Sequence, residues 1–301
     1  MAAWNMLSRR MHARTFLHIL LIAVLWLLIP DRIWCCDLLI VQSRRSPAYE
    51  DVLRGLRSVS RFSERVIVLT EHNEIDLARI AREETPVAIV TLGDNALAIA
   101  RKVRQTPVIA LMAINYRASM EEHPTMTGVE VQPPPEQFLL IFTSIKVRKV
   151  GIVSNSSRSA AYIKLARKVA AGFEIDLLVR DVKSSREVPG QLSSLAGLVD
   201  ALWMLPDNVT ASGEAADAHF MFSASHKVPV VTFSSAYLPS GAALALEIDH
   251  FDIGKQGGKM AASLMDGNVV SNVPPESPRK TTVKSNPSIL RRLNLKPDLT
   301  E

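Results

Sequence analysis

Cysteine is nearly missing from this chain: the 301 residues hold two, Cys35 and Cys36, side by side. Everything after residue 36 therefore has no thiol, which excludes a disulfide framework, a cysteine nucleophile and a thiolate metal site there. Enzyme signatures are missing too. There is no Gly-x-Ser-x-Gly, no His-Glu-x-x-His and no P-loop. His219 and His226 stand seven apart with no carboxylate pattern to complete a metal site, and His250 reads as a loop histidine. Neither catalysis nor a metal or other cofactor is expected. Charge of one sign is also scarce. Residues 37–301 hold 31 basic against 29 acidic side chains, a net charge of +2, evenly spread. A nucleic-acid partner needs a basic face, so none is expected.

What is present starts with an address. Arg9, Arg10 and Arg14 precede an apolar run over residues 16–29, broken only by His18. A run of 14 is short for a membrane span of about 20 residues but suits the apolar region of a signal peptide. Residues 1–36 are read as a signal peptide or a retained N-terminal anchor, with Cys35 or Cys36 as alternative lipid acceptors. The expected location is periplasmic, by export.

From Asp37 onward, strands and helices alternate. Near-continuous apolar strands are expected at 38–42, 66–69, 87–90 and 107–112, with helical patterns between them. Ser46-Pro47 reads as a cap and first helical position, followed by Val52, Leu53, Leu56 and Val59 on one face. Buried strands separated by helices indicate a parallel sheet covered on both faces. Residues 113–136 break the rhythm with Pro133-Pro134-Pro135 and read as an irregular crossing. The alternation then restarts, with strands at 150–153, 175–182, 201–205 and 228–233. The fold class is α/β: two Rossmann-like parallel-sheet lobes joined by a hinge.

In an open parallel sheet, ligands bind beyond the carboxyl ends of the strands. That rule selects five polar loops, at 43–49, 91–95, 154–158, 206–210 and 234–237. Their Ser, Thr, Asn and Asp side chains are also preferred helix caps, so each has a capping reading beside a ligand reading. The candidate ligand-binding residues are Ser46, Tyr49, Thr91, Asp94, Ser154, Asn155, Ser156, Asp207, Asn208, Ser234 and Tyr237. Amides and hydroxyls near Thr91 and Ser154–Ser156 suit a carboxylate. Asp94 and Asp207 suit an ammonium, and Tyr49 and Tyr237 an aromatic ring. Trp203 and Phe233 lie inside strands and read as core, while Arg44 and Arg45 read as surface charge.

Leu202-Trp203-Met204-Leu205-Pro206-Asp207, Gly241-Ala242-Ala243-Leu244-Ala245 and Asp252-Ile253-Gly254-Lys255-Gln256-Gly257-Gly258-Lys259-Met260-Ala261 carry a resemblance. They resemble motifs of the ABC-transporter substrate-binding proteins of tryptophan and tyrosine type. The resemblance implies a type 1 periplasmic binding fold with a small polar ligand, an amino acid or relative, in the cleft. It places Asp207 at the cleft, and Ser234 and Tyr237 on its third side. It also implies a lobe at 37–114 with 236–267 returning to it, and another at 115–235 with 281–301 returning. An ABC permease in the inner membrane is the implied partner, and a membrane sensor kinase the alternative. The protein is expected to be a monomer. Gly254, Gly257 and Gly258 are expected to let their helix pack closely on a sheet.

Overall fold

The computed structural model describes residues 36–298, apart from 72–74, 115, 122 and 212. The expected signal or anchor segment lies outside the described residues except for Cys36. Among the described residues no helix is long and apolar enough to cross a membrane. Cys36 is buried in the core of the first lobe, its Sγ 3.4 Å from Glu84 Oε2.

Two sheets form. The first runs β2-β1-β3-β4-β5, all parallel, from β1 (Leu38–Gln42), β2 (Glu64–Val68), β3 (Ala88–Leu92), β4 (Val108–Leu111) and β5 (Met126–Gly128). Its faces are covered by α1 (Pro47–Arg57), α2 (Leu77–Glu84), α3 (Asp94–Ala100) and α4 (Tyr116–Glu121). The second runs β11-β10-β9-β8-β6-β7, from β6 (Lys149–Ser154), β7 (Asp176–Asp181), β8 (Ala201–Trp203), β9 (Val230–Thr232), β10 (Leu244–Ile248) and β11 (Thr281–Ser285). Only the edge strand β11 is antiparallel. Around this sheet lie α5 (Pro135–Ser144), α6 (Ser156–Ala170), α7 (Val188–Ser193), α8 (Gly213–His226) and α10 (Pro287–Arg292), while α9 (His250–Met265) reaches back to the first lobe.

The α/β alternation arises because the central strands are apolar on both faces and so need a helix on each side. β1 and β3 are buried along their whole length. On the second sheet Trp203 is the centre of one face, with the rings of Phe138, Phe142 and Tyr162 at centroid distances of 4.8, 5.8 and 5.9 Å.

Two expected boundaries move. Residues 126–128, read as irregular, instead form β5 on the edge of the first sheet. Three residues are too few to show a period, and Gly128 is needed because a Cβ there would lie 2.1 Å from the Ala110 carbonyl oxygen. Of the 236–267 segment expected in the first lobe, β10 pairs between β9 and β11 and stays in the second. Only α9 crosses. Its glycines also find a different partner than expected. Gly254 and Gly258 face the backbone of α1, and only Gly257 faces the sheet, at Leu111.

Among the described residues the chain thus passes between the lobes three times, near 130–134, 248–250 and 276–281, and these crossings are laced together. Glu130 N–H donates to Glu276 O at 2.9 Å and Asp249 N–H to Lys280 O at 3.0 Å. The buried Gln256 amide donates to Glu276 Oε2 at 2.5 Å and Ser277 O at 3.0 Å.

Candidate functional site

At the carboxyl ends of the strands a cavity of about 420 Å³ lies between the sheets. Arg44, Ser46, Ala48, Tyr49 and Asp94 line it from the first lobe, with Met112 and Ile114 after β4. Pro206, Asn208, Phe233, Ser234 and Glu247 line it from the second. Val131, Pro133, Ile248 and His250 close it at the crossings.

The first-lobe wall is built by capping. Ser46 accepts the Tyr49 N–H at 3.3 Å and starts α1. α3 begins after Gly93, which has no side chain to cap it, so Ser43 Oγ reaches over and accepts the Ala96 N–H at 3.0 Å. Gly93, at φ 91°, also makes room for the Tyr49 hydroxyl, which would lie 2.1 Å from a Cβ there. Burial pushes the Tyr49 phenol above its ordinary pKa, as does Asp94, while Arg44 and a hydrogen bond with Ser43 act against this. Met112 holds a left-handed φ of 57° in the lining, a conformation costly for a residue with a Cβ.

The second-lobe wall has a fixed anion. Glu247 accepts the Ser235 hydroxyl at 3.0 and 3.1 Å and pairs with Lys284 at 2.5 Å. Burial alone would raise its pKa, but Lys284 and Ser235 together hold it below the ordinary carboxylate value. Phe233 is held by Tyr237 at 5.6 Å, edge to face.

Five of the eleven expected residues, Ser46, Tyr49, Asp94, Asn208 and Ser234, lie in this lining. The other six are placed differently. Thr91 and Ser154 are buried, and their hydroxyls have no hydrogen-bond partner among the described residues. Asn155 caps α6 by accepting the Ser157 N–H at 3.1 Å. Ser156 donates its N–H to Asp181 at the end of β7, at 2.8 Å, and is not among the lining residues. Asp207 is 2% exposed, and its carboxylate accepts the N–H groups of Asn155 at 2.6 Å and Val209 at 2.8 Å. Tyr237 donates its hydroxyl to the Ala211 carbonyl. Of these six, the capping reading describes the contacts of Asn155 alone. Phe233, read as core, packs against the second-lobe core and also lines the cavity, and Arg44, read as surface charge, is exposed at its lining. His250, read as a loop histidine, is the first residue of α9 and lines the cavity; Glu247 was missed, and a carboxylate near the end of the apolar run 242–248 was the available signal.

Comparisons with known proteins agree with this architecture. Residues 70–298 match the family model described as ABC transporter substrate binding protein. A tyrosine-binding protein of Clostridioides difficile (strain R20291) is 24% identical over 152 residues, 50% of this chain. The chain spans less than half of that relative, 44% of its length. A ligand-free, open substrate-binding protein with adhesive properties from Clostridium difficile superimposes with a TM-score of 0.69 at 19% identity, over 88% of this chain and 96% of the other. A protein from Streptococcus pneumonia, described as an ABC domain in complex with L-Trp, gives 0.62 at 18% identity, over 86% and 95%. A conserved domain protein of Vibrio cholerae gives 0.66 at 18%, over 88% and 96%. The shared fold is two parallel-sheet lobes of the type 1 periplasmic binding class.

Proposed function

Because this chain belongs to the family of ABC transporter substrate-binding proteins, we propose that it captures an amino acid or a close relative between its lobes and presents it to a membrane permease. The observation that carries this reading is the shared cavity. A ligand there meets Arg44, Asp94 and Tyr49 on one lobe and Glu247, Phe233 and Ser234 on the other.

A cation on one wall, Arg44, and an anion on the facing wall, Glu247, suit a zwitterion, and the two aromatic rings suit an apolar side chain. A ligand that touches both lobes makes its full set of contacts only when they are shut. Binding therefore shifts an open–closed equilibrium by the difference in affinity for the two states. The ligand leaves chemically unchanged. Export through the basic and apolar N-terminal segment would put the protein where a permease can read the closed form.

A thermal-shift screen of the purified protein against the twenty amino acids tests this. Ligand at 100 times its Kd adds about 2.7 kcal/mol, a rise in Tm of roughly 5–10 °C for a chain of this size. An aromatic amino acid is expected to give that rise. No shift from any amino acid would overturn the ligand assignment.

A further inference from the structure

We propose that Glu247 is the residue that selects ligands carrying a protonated amine, by receiving that amine on the second-lobe wall of the cavity. This rests on the amino-acid reading above and deepens it by assigning the polarity of the site.

Of the carboxylates considered for an ammonium, Asp207 is disqualified by its place: it is 2% exposed, is not among the lining residues, and turns its oxygens to the backbone N–H groups of Asn155 and Val209. Asp94 stands in the first turn of α3, in the positive field of that helix end, beside Tyr49 and on the same wall as Arg44. That wall offers a net-neutral pair. Glu247 is different in its surroundings. It faces the cavity, and the charge that balances it does not. Lys284 comes from the edge strand β11 as a diagonal cross-strand neighbour, since Glu247 lies opposite Thr282 and Ala245 opposite Lys284. The Lys284 side chain is 49% exposed and the Glu247 side chain 21%, and Lys284 is not among the lining residues. The pair therefore turns its negative end to the cavity and its positive end to solvent.

The carboxylate is also held ready. Ser235 and Lys284 fix both oxygens, so little side-chain entropy remains to be lost when a ligand arrives. Two carboxylate oxygens offer about four acceptor positions. Ser235 has one hydroxyl proton to give and a long N–H contact at 3.4 Å, and Lys284 takes one more position. A position is left for an ammonium.

The test is titration calorimetry with three probes: L-tyrosine, its deaminated analogue 3-(4-hydroxyphenyl)propionate, and its decarboxylated analogue tyramine. The unmodified protein is expected to bind L-tyrosine about 10- to 100-fold more tightly than the deaminated analogue, the range of a charged hydrogen bond. Tyramine is expected to bind more tightly than the deaminated analogue. Glu247→Gln keeps the shape and the Ser235 contact, and it is expected to remove that discrimination by weakening L-tyrosine and tyramine while leaving the deaminated analogue unchanged. An unmodified protein that binds L-tyrosine and the deaminated analogue equally would overturn the proposal without any variant. So would discrimination that survives Glu247→Gln, or that is erased by Asp94→Asn instead, and in those cases the amino-acid reading would stand. No binding of L-tyrosine, with no response to any other amino acid in the thermal screen, would overturn both.

Discussion

Adding a single methyl group in Gly254→Ala is expected to destabilise the protein by about 3 kcal/mol or more, beyond the usual range for overpacking. The new Cβ would stand 1.9 Å from the Val52 carbonyl oxygen and 2.9 Å from Leu56 N, both backbone atoms of α1. Backbone cannot turn away as a flexible side chain can. The contact is reciprocal: a Cβ on Gly55 of α1 would stand 2.0 Å from the Phe251 carbonyl oxygen of α9. Both helices must separate to admit either methyl. Separation exposes Val52, Leu56, Ile253 and Met260, which are almost completely buried. Thermal melts should fall by roughly 6–12 °C for 3 kcal/mol. Gly172→Ala, with no atom within 4 Å of its new Cβ, is the control expected to change little. A Gly254→Ala protein within 1 kcal/mol of the parent would show that α1 and α9 are not in backbone contact.

Asp207→Ala is expected to cost about 2–4 kcal/mol, from the loss of two partly buried hydrogen bonds to a charged acceptor. Asp207 ties the end of β6 to the loop after β8, through the N–H groups of Asn155 and Val209. Its side chain does not line the cavity. The loss should therefore appear in denaturant midpoint and Tm, with the ligand affinity of the folded protein little altered. Asp207→Asn keeps one acceptor oxygen and should lose less. The opposite pattern, normal stability with lost binding, would return Asp207 to the ligand.

The resemblance to the Leu-Trp-x-Leu-Pro-Asp motif had placed Asp207 at the cleft, and the way it is placed shows what a sequence conveys. Strand positions were legible because burial on both sheet faces leaves long apolar runs, as at 38–42 and 244–248. β5 was not, because Met126–Gly128 is held by its neighbours and not by any pattern of its own: Thr127 donates to Val273 O at 2.7 Å, 146 residues away. Polar loops at strand ends were legible as well, but not their division of labour. Asn155, Asp207 and Ser234 belong to one residue class. All three accept backbone N–H groups, and only the fold decides that Ser234 lines the cavity as well. Glu247 was hidden for a related reason. A single carboxylate at the end of a strand reads as surface until its neighbours Ser235 and Lys284 are in place.

The central claim is that the two lobes close on a small ligand, and a distance across the cleft tests it most directly. Labels can be placed on cysteines introduced at the exposed Asn95 of the first lobe and Ser157 of the second, with the native cysteines replaced. Pulsed electron spin resonance should then show a shorter label separation when a saturating aromatic amino acid is added, and a return to the longer one when it is dialysed away. A single separation unchanged by a ligand shown to bind would contradict closure.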